Sequence, residues 1–444
     1  MTTDVGGASA STAGLAGNVR VLEDGPGQLA SVFNRELSLA SRSIHADDYI
    51  NTHRAVAPPM HVSTTFRYAR DPNELVPWLN TDPAAPHDSH VYSRDSAPNT
   101  TRLEALLTSI IGAPSLTYAS GLAAFHAMLV HLNPRRVAIG GGYHGCHGVL
   151  SLLSRLTGLE QLDLDNESDL ARLRPGDVLH VETPLNPTGE ARDLAHYRRR
   201  ADELGCYLTV DATFAPPPLM DPFRFGVDVV MHSGTKYFGG HSDMLCGVLS
   251  VRPDRAGGEA GWISGLRADR LLLGSVMGSL EGWLGVRSLR TLELRVLRQS
   301  ANAQKLVDWL AGEMKETGGG NGGDGDGLVS SMVLKVQHAS LQPEAQDPDS
   351  WLRKQMPLGY GPVFAILMKS PEDARRLPSK VHLFHHATSL GGVESLIEWR
   401  AMTDRSVDKR LLRVSIGVEG WEDLKEDLLQ GFRALREENQ RRQS

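Results

Sequence analysis

The stretch His232-Ser233-Gly234-Thr235-Lys236-Tyr237-Phe238-Gly239-Gly240-His241-Ser242-Asp243-Met244 follows directly on an apolar run, Val227 to Met231. The apolar run reads as a buried strand, and the polar residues after it as a tight turn that holds one lysine. Ser233 and Thr235 put hydroxyls beside that lysine, and the glycines let backbone approach a ligand closely. Lys236 in such a turn can hold an aldehyde cofactor covalently while the hydroxyls receive a phosphate. Taken alone, Gly-Thr-Lys reads more readily as a solvated lysine at a strand end. The decision lies upstream.

From Leu103 to about Val251 strand and helix signals alternate. Leu116 to Tyr118, Val137 to Ile139, Leu159 to Leu164, Val178 to Val181 and Tyr207 to Val210 read as strands. Leu122 to Leu132, Ser168 to Leu173 and Leu194 to Leu204 read as helices between them. This rhythm predicts an α/β fold with a mainly parallel sheet and helices on both faces. A long helical pattern, Ser279 to Met314, then leads to an α+β region with strands at Met332–Val336, Val363–Met368 and Leu411–Ile416 and a final helix from Trp421 to Arg436.

Ligands of open parallel sheets gather at the carboxyl ends of the strands. Three successive ends here carry Asn186 (in Glu182-Thr-Pro-Leu-Asn-Pro), Asp211 (in Asp211-Ala-Thr213-Phe) and Lys236. That set suits pyridoxal 5'-phosphate: a carboxylate for the pyridine nitrogen, an amide for the ring hydroxyl and an amine for the aldehyde. Ser120-Gly121-Leu122 opens a helix after a strand, where free N–H groups favour an anion. Tyr143 offers an aromatic face for the ring. His144, Cys146 and His147 are too close together in sequence to close a tetrahedral metal site, so no metal is expected. Neither GxxxxGK[ST] nor G-x-S-x-G is present.

The 444 residues, 41% hydrophobic and 22% charged, suit a globular chain of two domains. A net charge of −7 gives no reason to expect nucleic acid or an anionic membrane. No apolar run approaches a membrane span. The N-terminus lacks the basic start and apolar core of a signal peptide. Cys146, Cys206 and Cys246 are too scattered for a disulfide framework, and a cytoplasmic setting is expected.

With these residues assembled, the chain resembles the Cys/Met-metabolism (trans-sulfuration) family of pyridoxal phosphate enzymes: cystathionine γ-synthase, the cystathionine lyases, methionine γ-lyase and the homoserine sulfhydrylases. The likeness runs from about Pro58 to Arg433. It rests on the Lys236 turn and on Tyr92-Ser-Arg94, Ala119-Ser120-Gly121, Tyr143, Glu182 to Pro187, Asp211 to Phe214, Ser389 to Ser395 and Leu412 to Gly417. The resemblance implies a fold-type-I transferase: a flexible segment and arm over 1–57, a large cofactor-binding domain over 58–285 with a seven-stranded type of sheet, and an α+β domain over 286–444 containing a Gly/Asp-rich loop at 317–327. It implies that Tyr92 and Arg94 reach the cofactor phosphate of a neighbouring subunit, in a homotetramer built from dimers sharing active sites. Small amino acids are the implied substrates. Tyr143 would stack on the ring and carry protons, while Arg413, with Asn186 and Ser389, would grip the substrate carboxylate.

Departures from the family pattern set this chain apart. Ala97-Pro98-Asn99-Thr100 stands where Asn-Pro-Thr is usual, and Thr388 stands where an acid is common among synthases and γ-lyases. Glu398-Trp399-Arg400 replaces a segment that usually contains His-Pro. In these features the chain is similar to divergent fungal cystathionine γ-synthase-like proteins. The expected reaction is γ-substitution on an O-activated homoserine such as O-acetylhomoserine, with a lyase acting on cystathionine or methionine as the alternative.

Overall fold

The computed structural model describes residues 36–50, 55–77, 80, 90–257, 261–315 and 327–443. Seven strands, β1 (Ser115–Tyr118), β2 (Arg136–Ile139), β3 (Glu160–Asp163), β4 (Val178–Glu182), β5 (Tyr207–Asp211), β6 (Val229–Ser233) and β7 (Gly247–Val251), form one sheet. Their order is β1-β7-β6-β5-β4-β2-β3. The pairs from β6 through to β3 are parallel, whereas β7 runs antiparallel to both β6 and β1. The central strands are nearly continuous apolar runs because helices cover both faces. Val178, Leu179, Leu208, Val210, Val229 and Val230 are accordingly buried. Each such side chain contributes about 1.5–3 kcal/mol when removed from water.

A second sheet has the order β10-β11-β12-β9-β8. Its strands are β8 (Val333–Gln337), β9 (Val363–Met368), β10 (His385–His386), β11 (Leu396–Trp399) and β12 (Leu411–Ser415). The helix Trp421–Gln443 packs Leu424, Leu428 and Phe432 into its core. The expected α/β class with a mainly parallel seven-stranded sheet and a smaller α+β part is the fold observed.

The single long helical pattern expected from Ser279 to Met314 is in fact two helices, Ser279–Leu289 and Leu292–Lys315. The break falls at Arg290-Thr291, where the Ser288 carbonyl is shared by the N–H groups of Arg290 and Thr291 and by the Arg295 guanidinium. The second helix joins the two cores: Leu292 and Val296 belong to the first, and Ala303, Leu306, Val307 and Leu310 to the second.

Part of the segment expected to be flexible is ordered. Leu39–His45 is helical and Asp48–Ile50 makes a short 3-10 turn, anchored by a buried ion pair of 2.8 Å from Arg102 to Asp47. Residues 1–35, and the Gly/Asp-rich loop apart from Gly327, lie outside the described residues.

Candidate active site

The strands β4, β5 and β6 end in Glu182, Asp211 and Ser233, and these ends form the floor of a cavity of about 330 Å³. The second sheet supplies Arg413 from β12, and the segment before β11 supplies Thr388 and Ser389. Ser120, Gly121, Leu122 and Tyr143 line one side; Asn186, Thr213, Thr235 and Lys236 complete the wall. All of these except Glu182 are candidates legible in the sequence. Tyr92 and Arg94 are too, but they do not line this cavity. Tyr92 is 45% exposed and pairs with Thr65, while Arg94 stacks over its ring at 5.4 Å and donates to the Leu271 carbonyl at 3.1 Å.

Lys236 Nζ donates to Ser389 Oγ at 2.7 Å. Burial lowers its pKa to about 8, with the Arg413 guanidinium adding to the effect and Glu398 and Asp211 opposing it. Ser389 has φ 76°, a conformation uncommon outside glycine. That backbone turns its hydroxyl to Lys236 while its carbonyl accepts from Arg413 Nη2 at 2.8 Å. Arg413 Nη1 donates to Asn186 Oδ1 at 3.2 Å. Although burial lowers the Arg413 pKa to about 10, the guanidinium stays charged at neutral pH.

Asp211 is buried, and its Oδ1 accepts from the Thr213 N–H at 2.9 Å and the Thr213 hydroxyl at 2.5 Å. Burial raises its pKa, opposed by these bonds and by Lys236. Glu182 opens the Glu182-to-Pro187 segment, and the sequence alone points to no role for it. Its Oε2 accepts from the Tyr143 N–H and its Oε1 from the Asn186 N–H, each at 2.7 Å. It thus ties together two loops that flank the cavity. Burial and the Asp211 charge raise its pKa.

The residues fit the aldehyde cofactor expected from the sequence. The helix Gly121–Leu132 points its N-terminus at the cavity, with Ser120 as N-cap accepting from the Ala123 N–H at 3.1 Å. The N–H groups of Gly121 and Leu122 have no partner within the helix. A Cβ on residue 121 would stand 3.2 Å from Ser233 Oγ, so glycine keeps the space between helix end and hydroxyl open for an anion. The Thr235 hydroxyl is less available than its position suggests: it donates to the Cys246 carbonyl at 3.2 Å and accepts from the Cys246 N–H at 3.0 Å. Asp211 and Lys236 line the same cavity, a carboxylate to accept from a protonated pyridine nitrogen and an amine to meet an aldehyde.

In the sequence, Glu398 and Arg400 stand out as departures with no place in the site. Arg400 lines the cavity, as do His144 and Thr403. Glu398 stands directly opposite Arg413 in the β11–β12 register, and its Oε2 accepts from Arg413 Nη2 at 2.6 Å and from Arg400 Nη1 at 3.0 Å. No group of three or more His, Cys, Asp or Glu among the described residues is arranged to hold a metal ion. No described helix is long and apolar enough to cross a membrane.

Comparison with known proteins gives a consistent assignment. Cystathionine gamma-synthase of Escherichia coli is 30% identical over 424 residues, covering 90% of this chain and 98% of its own length. Cystathionine gamma-lyase of Saccharomyces cerevisiae is 29% identical over 415 residues, covering 89% and 97%. The crystal structure of cystathionine gamma-lyase from yeast superposes with a TM-score of 0.75 at 27% identity, over 90% of this chain and 99% of that one. The family described as "Cys/Met metabolism PLP-dependent enzyme" matches residues 40–433. The chain belongs to that family and is a pyridoxal phosphate-dependent enzyme of the trans-sulfuration type.

Proposed function

We propose that this enzyme catalyses γ-substitution on an O-activated homoserine, joining a thiol, carbon or amine nucleophile to the γ carbon. The observation that carries this reading is the buried Lys236 amine, held by Ser389 at 2.7 Å and titrating near 8. Pyridoxal phosphate, when bound, supplies an aldehyde for the substrate amine and a ring that draws electrons from the neighbouring carbon. Chemistry at the γ carbon needs a base that serves two adjacent positions. An amine on a flexible stem, partly unprotonated at neutral pH, can take a proton at Cα and then one at Cβ.

Asp211 would hold the ring nitrogen. The N–H groups of Gly121 and Leu122 would hold the phosphate, with the hydroxyls of Ser120, Ser233 and Thr235 around it. Tyr143 would stack on the ring, and Asn186 and Thr213 would steady it from the strand ends. Arg413 would bind the substrate α-carboxylate, between Asn186 and Ser389, with Thr388 leaving that rim uncharged.

A neighbouring copy of the chain would receive Tyr92 and Arg94. The stretch 55–77 supports this, for it exposes Val56 (91%), Val62 (73%) and Tyr68 (68%), apolar surface that suits burial against another subunit. We infer a homotetramer built from such dimers. Three buried cysteines without a disulfide fit a reducing compartment, and we assign the enzyme to the cytoplasm.

The second reading, a lyase on cystathionine or methionine, uses the same residues and is favoured by the lyase names among relatives of similar identity. Incubation with O-acetylhomoserine, O-succinylhomoserine, cystathionine and methionine, with and without added nucleophiles, separates the two. Adducts without 2-oxobutanoate support substitution. Keto acid from cystathionine or methionine, with no adduct from either ester, overturns it.

A further inference from the structure

Two guanidinium groups line the cavity, and one carboxylate lies between them. Glu398, Arg400 and Arg413 are each at least 96% buried. Besides its bonds to both arginines, Glu398 accepts at Oε1 from the Thr403 hydroxyl at 2.8 Å, and Thr403 in turn accepts from Arg400 Nη1 at 2.9 Å. Arg400 Nη2 stands 3.8 Å from Asp404, which also lies 3.9 Å from His144 Nδ1.

Donor counting shows what remains for a substrate. Both protons on Arg413 Nη2 are taken, by the Ser389 carbonyl and by Glu398, and Nη1 gives one to Asn186. One Nη1 proton and the Nε–H remain on opposite edges of the guanidinium, so a substrate carboxylate takes a single charge-assisted bond from Arg413 and a second carboxylate finds no paired donors there. Arg400 is matched by Glu398 and Asp404, so it brings no free charge to the rest of the cavity. Desolvating a second carboxylate against Glu398, with both cavity arginines already committed, is unfavourable.

The geometry points to Glu398 as the specificity-determining residue of this pocket: by pairing with both Arg413 and Arg400 it leaves charge for one carboxylate only, so the enzyme takes amino acids whose γ substituent is uncharged, an acetyl ester rather than a succinyl ester. This rests on the γ-substitution reading of the site.

The test uses holoenzyme and two unreactive amino acids of equal length, L-norleucine and L-2-aminoadipate, which differ in one terminal carboxylate. Binding is followed by the change in cofactor absorption. Norleucine is expected to bind about tenfold or more tightly, and Glu398→Gln to narrow the gap to about threefold or less by releasing Arg400. Equal or tighter binding of aminoadipate to the unaltered enzyme overturns the inference and requires no variant. So does an unchanged ratio in Glu398→Gln. If that variant does not fold, Arg400→Gln is used instead: it leaves Glu398 less compensated and widens the gap, and a narrower gap counts against the inference. The predicted binding ratio without any adduct from an ester sinks the substitution reading alone; equal kcat/KM for the acetyl and succinyl esters sinks this inference alone.

Discussion

Lys236 and Ser389 are 153 residues apart in sequence, yet the lysine amine donates to the serine hydroxyl at 2.7 Å. The first residue belongs to the turn after β6, and the second to the connection between β10 and β11 of the second sheet. Serine at that point also faces Arg413 through its carbonyl, at 2.8 Å. The group expected to move protons and the group expected to hold the substrate are therefore positioned by one residue.

Replacing Lys236 with alanine removes the amine that lines the cavity. Activity is expected to fall by at least about 100-fold, the usual cost of losing a positioned base. Borohydride reduction of the holoenzyme should fix the cofactor to the unaltered chain at Lys236 and fail to do so in the variant. Peptide mapping after reduction reads this directly. Full turnover by Lys236→Ala would remove the lysine from the reaction.

The lowered pKa of Lys236 gives a pH dependence with a defined sign. Only the neutral amine attacks an aldehyde, and its pKa is about 8 rather than the usual 10.5. In cofactor-free protein the rate of covalent attachment should rise with pH, about tenfold per unit below 8, and level off above it. Stopped-flow absorbance between about pH 6.5 and 9.5 checks this, a range that brackets the lowered value. A rate still rising steeply at the alkaline end of that range would show an unperturbed lysine.

Arg413→Lys keeps the charge and loses the fork that serves Asn186, Ser389 and Glu398 together. We expect kcat/KM to fall by about 100-fold, mainly through KM, because the lost contacts bind ground state and transition state alike. Steady-state kinetics on whichever amino acid the enzyme consumes measures the split. A fall confined to kcat would point to a role in the chemical step instead.

Gly142 has φ 148°, and a Cβ there would lie against Glu182 Oε2. Gly142→Ala should displace the Glu182 carboxylate from the Tyr143 and Asn186 N–H groups. The expected cost is about 2–4 kcal/mol of stability, together with weaker cofactor retention. Thermal melting and the cofactor absorbance after gel filtration are the measurements. A variant that melts and retains cofactor like the parent would show that Glu182 does not hold these loops.

Much of this site is legible in the sequence because each parallel strand ends in a short motif. Asp211, Asn186 and Lys236 follow apolar runs, and the sheet rule brings such ends together. The helix Pro98–Ile111 is not among the expected elements, although it carries its signals, proline in the first turn and Gly112 after the last. The break at Arg290-Thr291 is hidden because the leucine and arginine spacing continues across it. Glu398 cannot be assigned from sequence: its role depends on standing opposite Arg413 across two strands, and register is a property of pairing rather than of either segment alone.

The helix Leu292–Lys315, rooted in one core at its start and in the other at its end, has a consequence for the order in which the enzyme matures. The residues proposed to hold the cofactor within this chain lie between 120 and 236, and those proposed to hold the substrate carboxylate, apart from Asn186, between 388 and 413. A chain emerging from the ribosome therefore completes the cofactor floor long before Arg413 and Ser389 exist. Capture of the cofactor can precede any recognition of an amino acid, and the arrival of the second sheet is the event that turns a cofactor-binding layer into an enzyme.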